Sequence, residues 1–320
     1  MRLRSLVLLM MLLLSVSSYN PSLFSRRAVN LPVNSHKSRR ASRRAFLATP
    51  AAVLFLPQTS SAVTPAPQPT SLRDILAARD ANLLRKAFLN LPPPQQEYPP
   101  WLEGTWDCTS DFAGFEFPSK KVPKENIVAQ TQLPGFVKLS VARFADVGRK
   151  NTRFTMKFFK DKDGKVREDY GENLANSISA HTNGREVVDE INYEPVKNPN
   201  RITIRLRAGG RNGERIEQFV NSRKSETLTD SIFLNSELVR QVTLGGPTLQ
   251  DPLVPRMVVG EYQHFWTWRK VETDDGSEGF RSNCLTAVYA DAQESAAVFN
   301  EVVGDPVIVY SHNIIGKKII

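Results

Sequence analysis

Beyond about residue 100 the apolar positions recur every second residue. In 201–207, Ile202, Ile204 and Leu206 alternate with Arg201, Thr203, Arg205 and Arg207, the pattern of a strand with one buried and one wet face. The same period predicts strands over 104–112, 136–144, 153–159, 186–193, 201–207, 215–221, 227–233, 239–244, 263–271, 279–289 and 306–310. Turn signals separate them: Asp161-Lys162-Asp163-Gly164, Asn183-Gly184, Asn198-Pro199-Asn200, Arg211-Asn212-Gly213 and Asp275-Gly276. So many short antiparallel strands are best protected from edge aggregation by closing the sheet, which predicts an all-β, antiparallel, closed or nearly closed barrel. Helical spacing occurs twice. Over 71–91 it predicts an amphipathic helix with Ser71 and Asp74 as a capping box and Pro92-Pro93-Pro94 as its stop. Over 291–303 it predicts a short second helix. The first helix either docks on the barrel or offers its apolar face to a partner.

The chain has 320 residues and a formal net charge of +9, a basicity that first suggests a polyanion partner. Its distribution removes that suggestion. Residues 1–62 hold nine of the basic residues and no acid, the first acid being Asp74, so the rest of the chain balances 33 basic against 33 acidic residues. A neutral body excludes nucleic acid as the expected partner. The basic segment reads as three addresses in series. Arg2 and Arg4 followed by an apolar run over 6–14 form a signal peptide over 1–18, too short for an anchor that needs roughly 20 apolar residues. Residues 19–44 are rich in Ser and Arg, as in a plastid transit peptide. Arg43, Arg44, Phe46 and Leu47 then precede an apolar stretch and the small-residue site Ser60-Ser61-Ala62, a twin-arginine signal over 45–62. Residues 63–97 form a Pro-rich spacer and the first helix, and 98–320 the barrel domain. No transmembrane segment is expected in the mature chain.

This order of addresses, with Tyr19 opening the second, resembles the presequences of thylakoid-lumen proteins in algae with complex plastids. It implies a plastid, thylakoid-lumen location and a cargo folded before transport. Tyr98-Pro99-Pro100-Trp101-Leu102-Glu103-Gly104-Thr105-Trp106 sets a Gly-x-Trp at the head of the first strand, which resembles the lipocalins. In that superfamily the tryptophan plugs the closed end and a basic residue of a late strand crosses its ring, here Arg269 or Arg281. The opening at Pro99 to Asp107, Asn221-Ser222-Arg223 and Ser236-Glu237-Leu238-Val239-Arg240-Gln241 resemble a lipocalin-like (calycin-type) family of thylakoid and cyanobacterial proteins without established activity.

Chemistry is sparse in the sequence. His181, His264 and His312 are far apart, with neither His-Glu-x-x-His nor Cys-x-x-Cys, so no metal or other cofactor is expected. Asp161 to Gly164 lacks the ligand spacing of a calcium loop, Gly209-Gly210 reads as a turn, and nucleophile motifs of the Gly-x-Ser-x-Gly kind are missing. No catalytic residue is assigned. Cys108 and Cys284 lie on an early and a late strand, neighbours in a closed barrel, so they are either a disulfide or two buried thiols. Trp266 and Trp268 share a strand face with His264, while Phe265, Thr267 and Arg269 take the other. One face must line the interior, as core or as an aromatic wall for a ligand. Arg223 and Arg240 are candidates to grip a carboxylate or phosphate, with Arg143 and Arg205 behind them. Trp106, Arg223, Arg240, Trp266, Trp268 and Arg269 are therefore the candidate ligand-binding residues. Three functions fit: a lumenal binder of an apolar small molecule such as a carotenoid, tetrapyrrole or lipid; a scaffold for assembly of a thylakoid membrane complex; and a lumenal enzyme acting on a xanthophyll or lipid, by fold analogy alone.

Overall fold

The computed structural model describes residues 71–86, 93–128, 149–182, 187–207, 215–245, 257–273, 276–292 and 296–319. The targeting segments with Arg43, Arg44, Phe46 and Leu47, the strand expected over 136–144 with Arg143, and the turns at 183–184 and 209–213 lie outside the described residues.

Ten antiparallel strands form one sheet. They are β1 (Gly104–Glu116), β2 (Thr152–Lys160), β3 (Val166–Glu168), β4 (Val188–Asn192), β5 (Arg201–Leu206), β6 (Arg215–Thr229), β7 (Ile232–Leu244), β8 (Met257–Glu272), β9 (Glu278–Tyr289) and β10 (Pro306–Lys318). Their spatial order is β3-β2-β1-β10-β9-β8-β7-β6-β5-β4, a curled half-barrel. The first long strand pairs with the last, from Trp106 opposite Lys318 to Glu116 opposite Val309. The expected all-β, barrel-like antiparallel sheet is observed, with β3 and β4 as its terminal strands among the described residues. A helix, α3 (Tyr170–His181), lies between them and packs on both β2 and β4. Its buried positions Tyr170, Asn173, Leu174, Ser177, Ile178 and His181 follow the helical repeat. Half of them are polar, so the apolar pattern alone did not reveal it. Asn173 accepts from the Lys157 amide at 2.7 Å and donates to the Lys157 carbonyl at 3.1 Å, supplying β2 with bonds that the three-residue β3 is too short to give.

Several strands run longer than expected. The expected strands over 215–221 and 227–233 are parts of a long hairpin, β6 to β7, that turns at Asp230 and Ser231. The intervening Asn221 to Glu226 is polar because that stretch of β6 is half-buried to exposed, with only Lys224 and Ser225 exposed. The helix expected over 71–91 is also corrected. Its cap holds, with the Asp74 amide donating to Ser71 Oγ at 3.0 Å, but α1 (Leu72–Ala77) stops early. Arg79 adopts φ 50° and the Asp80 side chain accepts from the Asn82 amide, starting a separate 3-10 turn over Ala81–Leu83. Two short helices complete the described elements, α2 (Lys124–Val128) and α4 (Ala296–Val302), the latter within the expected 291–303.

The α1 segment is a strap across the convex face. Leu72 and Leu84 are buried there against Leu234, Leu238, Phe265 and Val309. Glu226 accepts from the Leu72 and Arg73 amides, Lys86 pairs with Glu261, and the Tyr289 hydroxyl donates to the Leu84 carbonyl at 2.8 Å. The apolar residues of 72–84 are thus occupied by the sheet.

Candidate functional site

Strand parity and register place the concave side chains in rows. One row runs Ser110, Ile314, Ser282, Trp268, Phe233 across β1, β10, β9, β8 and β7; the next runs Phe112, His312, Cys284, Trp266, Asn235. A third carries Tyr310, Thr286, His264, Glu237 and Arg223. The face of β8 bearing His264, Trp266 and Trp268 is therefore the inner one.

One end of this interior is filled with rings. Trp106 meets Phe280 edge-on at 5.1 Å, Phe280 meets Trp268 at 5.3 Å, and Tyr98 and Phe158 pack at 5.0 Å beside them. The Pro-Pro-Trp-Leu-Glu-Gly-Thr-Trp motif builds this end. Pro100–Leu102 makes a 3-10 turn whose Leu102 carbonyl accepts from Trp106 Nε1 at 2.8 Å, and Gly104 takes φ 128°, a backbone that glycine alone adopts readily. Gly316 also belongs here: a Cβ on it would lie 2.2 Å from the Phe280 ring. The cation over Trp106 is Lys318, at 5.6 Å. Arg269 and Arg281, expected in that role, are exposed on the convex face, the parity opposite to Trp268.

The other end is polar. His264 Nδ1 lies 2.8 Å from Thr286 Oγ1 and 3.8 Å from Cys284 Sγ. His312, Cys284's cross-strand neighbour, packs on Phe112 at 5.4 Å, and α3 brings the His181 ring to 6.4 Å from His312. Deeper along the strands, Tyr262 donates to Gln241 at 2.9 Å and accepts from Gln218 at 3.1 Å. The three histidines scattered along the sequence thus gather at one end of the interior. Only His264 carried a signal, its shared parity with the tryptophans. Among the described residues no group of three or more His, Cys, Asp or Glu is arranged to hold a metal ion.

Between the two ends, Trp266 and Trp268 stack at 4.9 Å and 16°. Trp268 Nε1 donates to Asn235 Oδ1 at 2.7 Å. Asn235 Nδ2, Ser282 Oγ and Ser110 Oγ are buried in these same rows with no hydrogen-bond partner. Sequence reading missed all three, since isolated polar residues on mixed strands stand out only once register shows them facing inward.

The arginine candidates are corrected. Arg223 faces the interior but is committed: it donates to Glu237 at 2.7 Å, Asn200 Oδ1 at 2.6 Å, and the Pro94 and Pro199 carbonyls at 3.1 Å. Both members of the Arg223–Glu237 pair are at most 5% exposed. Burial works against the guanidinium charge, but Glu237 outweighs it and raises the Arg223 pKa. Arg240 lies on the convex face, between Phe219 and Glu261 in register. Arg205 is exposed and pairs with Glu190 at 3.5 Å. Cys108 and Cys284 are free, buried thiols. The disulfide alternative fails because β10, not β9, neighbours β1: Cys108 sits opposite Gly316 and Cys284 opposite His312, a strand apart and offset by roughly 13 Å along it.

Residues 91–315 match a protein family described as Domain of unknown function (DUF6816). No curated protein and no solved structure matches the chain. Among the described residues no helix is long and apolar enough to cross a membrane.

Proposed function

The chain belongs to the DUF6816 family, and we propose that it is a lipocalin-like binding protein of the thylakoid lumen whose concave face holds an apolar small molecule. Carotenoid, tetrapyrrole and lipid are the candidate classes. The observation that carries this reading is the set of unpartnered polar atoms, Asn235 Nδ2, Ser282 Oγ and Ser110 Oγ, beside the stacked Trp266–Trp268 wall. A buried polar atom without a partner costs about 1–3 kcal/mol. Trp266, Trp268 and Asn235 are at most 3% exposed, so an apolar ligand bearing an oxygen function would enter by parting these rows and would then meet the Asn235 amide. The lumenal location is supported by the serial addresses, above all Arg43, Arg44, Phe46 and Leu47 before the apolar stretch.

The test is isolation of the protein from its own plastids under native conditions, followed by visible spectroscopy and by native and denaturing mass spectrometry. A stoichiometric pigment or lipid released on denaturation is expected, and its retention should fall in Asn235→Leu. A clean apo mass, with no change in tryptophan emission when the pure protein is offered pigments or fatty acids, would refute the proposal.

A further inference from the structure

A groove of about 490 Å³ lies on the outside of the curl, between α3 and the edge strand β4. Its floor includes Val188, Asp189, Glu190 and Ile191, four consecutive residues. Neighbouring residues of a strand point to opposite faces. β4 bulges between Val188 and Glu190, which breaks that alternation locally, but Val188 and Ile191 are half-buried while Asp189 and Glu190 are exposed, and a groove touching both pairs runs along the edge of the strand rather than over one face. β4 is a terminal strand of the sheet and pairs with β5 on its other side. The opposite wall is the α3 flank bearing Gly171, Ala175 and Ser179, one helical turn apart and small enough to keep the helix backbone back from the edge. At Gly171 the helix touches β4, where an added Cβ would lie 3.6 Å from Ile191.

We propose that this edge receives an extended, basic peptide segment of a protein partner, added to the sheet as a further strand beside β4. A helix cannot satisfy the outward amide and carbonyl groups of a strand, whereas an extended backbone can. The charge of the walls selects the partner. Asp169, Glu172, Asp189 and Glu190 line the groove against the single guanidinium of Arg207. Their cationic partners are exposed: Lys157 lies 3.4 Å from Asp169 and 3.3 Å from Glu172, Arg205 3.5 Å from Glu190 and Arg207 3.8 Å from Asp189. Exposed pairs of this kind contribute little, so a lysine or arginine on an incoming strand can replace them. Side chains of that strand directed at Ala175 and Ser179 must be compact.

The test offers the purified full chain three labelled octapeptides: alternating lysine and valine, alternating glutamate and valine, and the lysine–valine peptide N-methylated at every second amide. Anisotropy should show the first binding at least about tenfold more tightly than the other two, as backbone pairing and complementary charge require. Amide exchange at 188–191 should slow on binding. Charge reversal by Asp189→Lys with Glu190→Lys, both exposed, should remove the preference without lowering the melting temperature, and Ser179→Trp should block the groove. Failure of all three peptides to bind, equal binding of the glutamate peptide, or indifference to N-methylation overturns the proposal. Self-association lost on the same charge reversal also overturns it, since the occupant would then be a second copy of the chain.

Discussion

Replacing Arg223 separates a structural from a ligand-binding role. In the native state its guanidinium is enclosed by Glu237, Asn200 and the Pro94 and Pro199 carbonyls, and Glu237 is 3% exposed. Arg223→Ala leaves the Glu237 carboxylate buried and uncompensated. Breaking a buried pair from one side costs about 3–5 kcal/mol. At about 2–4 °C per kcal/mol for a domain of this size, the melting temperature should fall by roughly 6–20 °C. Arg223→Met with Glu237→Leu removes both charges and should recover most of that loss, because apolar replacements of a buried pair are often neutral. Denaturant unfolding of Arg223→Met, Glu237→Leu and the double variant provides the coupling energy. A loss below about 1 kcal/mol in Arg223→Ala, the range of exposed pairs, or a double variant no better than the singles, would show that Glu237 reaches water and that the enclosure is wrong.

Two further outcomes follow from buried groups. Cys108 and Cys284 should resist an aromatic disulfide reagent in the native protein and both react after denaturation; burial, aided by the neighbouring Asp107, pushes the Cys108 thiol far above its ordinary range. A native mass two hydrogens below that of the reduced chain would refute the free-thiol state. Glu217 lies under Thr203, Arg201 and Arg215; burial opposes its charge, but these three donors outweigh it and hold its pKa below the ordinary carboxylate range. A lowered folded pKa contributes stability that is present above the unfolded value, near about 4.3, and is lost as pH falls through the folded one. Glu217→Gln should therefore flatten the acid limb of stability against pH, and unchanged steepness between pH 5 and 2 would refute the assignment.

The period-two pattern found most of the described strands because their inner residues are apolar wherever the sheet is fully covered, as in Ile202 and Ile204. It failed where inward positions are polar. Ser311, His312 and Asn313 interrupted the pattern, so the strand expected to end at 310 continues to Lys318. Tyr170 to His181 repeats at helical spacing with Asn173, Ser177 and His181 on its buried side; Asn173 is polar for a tertiary reason, its bonds to the Lys157 backbone, whereas His181 and Ser177 bond each other within the helix, at 2.7 Å to the Ser177 carbonyl. That Trp266 and Trp268 share one strand face with His264 was legible from parity, but that this face is the inner one was not. Arg223 was legible only as a candidate anion grip beside Arg240, with a surface arginine on a wet strand face as the competing reading; its partners Pro94, Asn200 and Glu237 lie 129, 23 and 14 positions away, beyond what the sequence pattern connects.

Closure by a helix links the two proposed binding sites. Among the described residues no strand joins β3 to β4; one that did would pair the outward groups of β4 and leave no groove. A helix instead divides its surface. Its buried stripe carries Leu174, Ile178 and His181 into the core, setting His181 beside His312 at the polar end of the interior. Its adjoining flank, Gly171, Ala175 and Ser179, faces β4, a terminal strand of the sheet among the described residues. Residues three or four apart share a helix face, so Gly171 and Ala175 border the buried Leu174 and Ile178, whereas Ser179 lies furthest round the helix from that stripe and can be substituted without disturbing it. Ser179→Trp should therefore leave ligand retention intact while blocking the edge, and Asn235→Leu, on β7, should do the reverse.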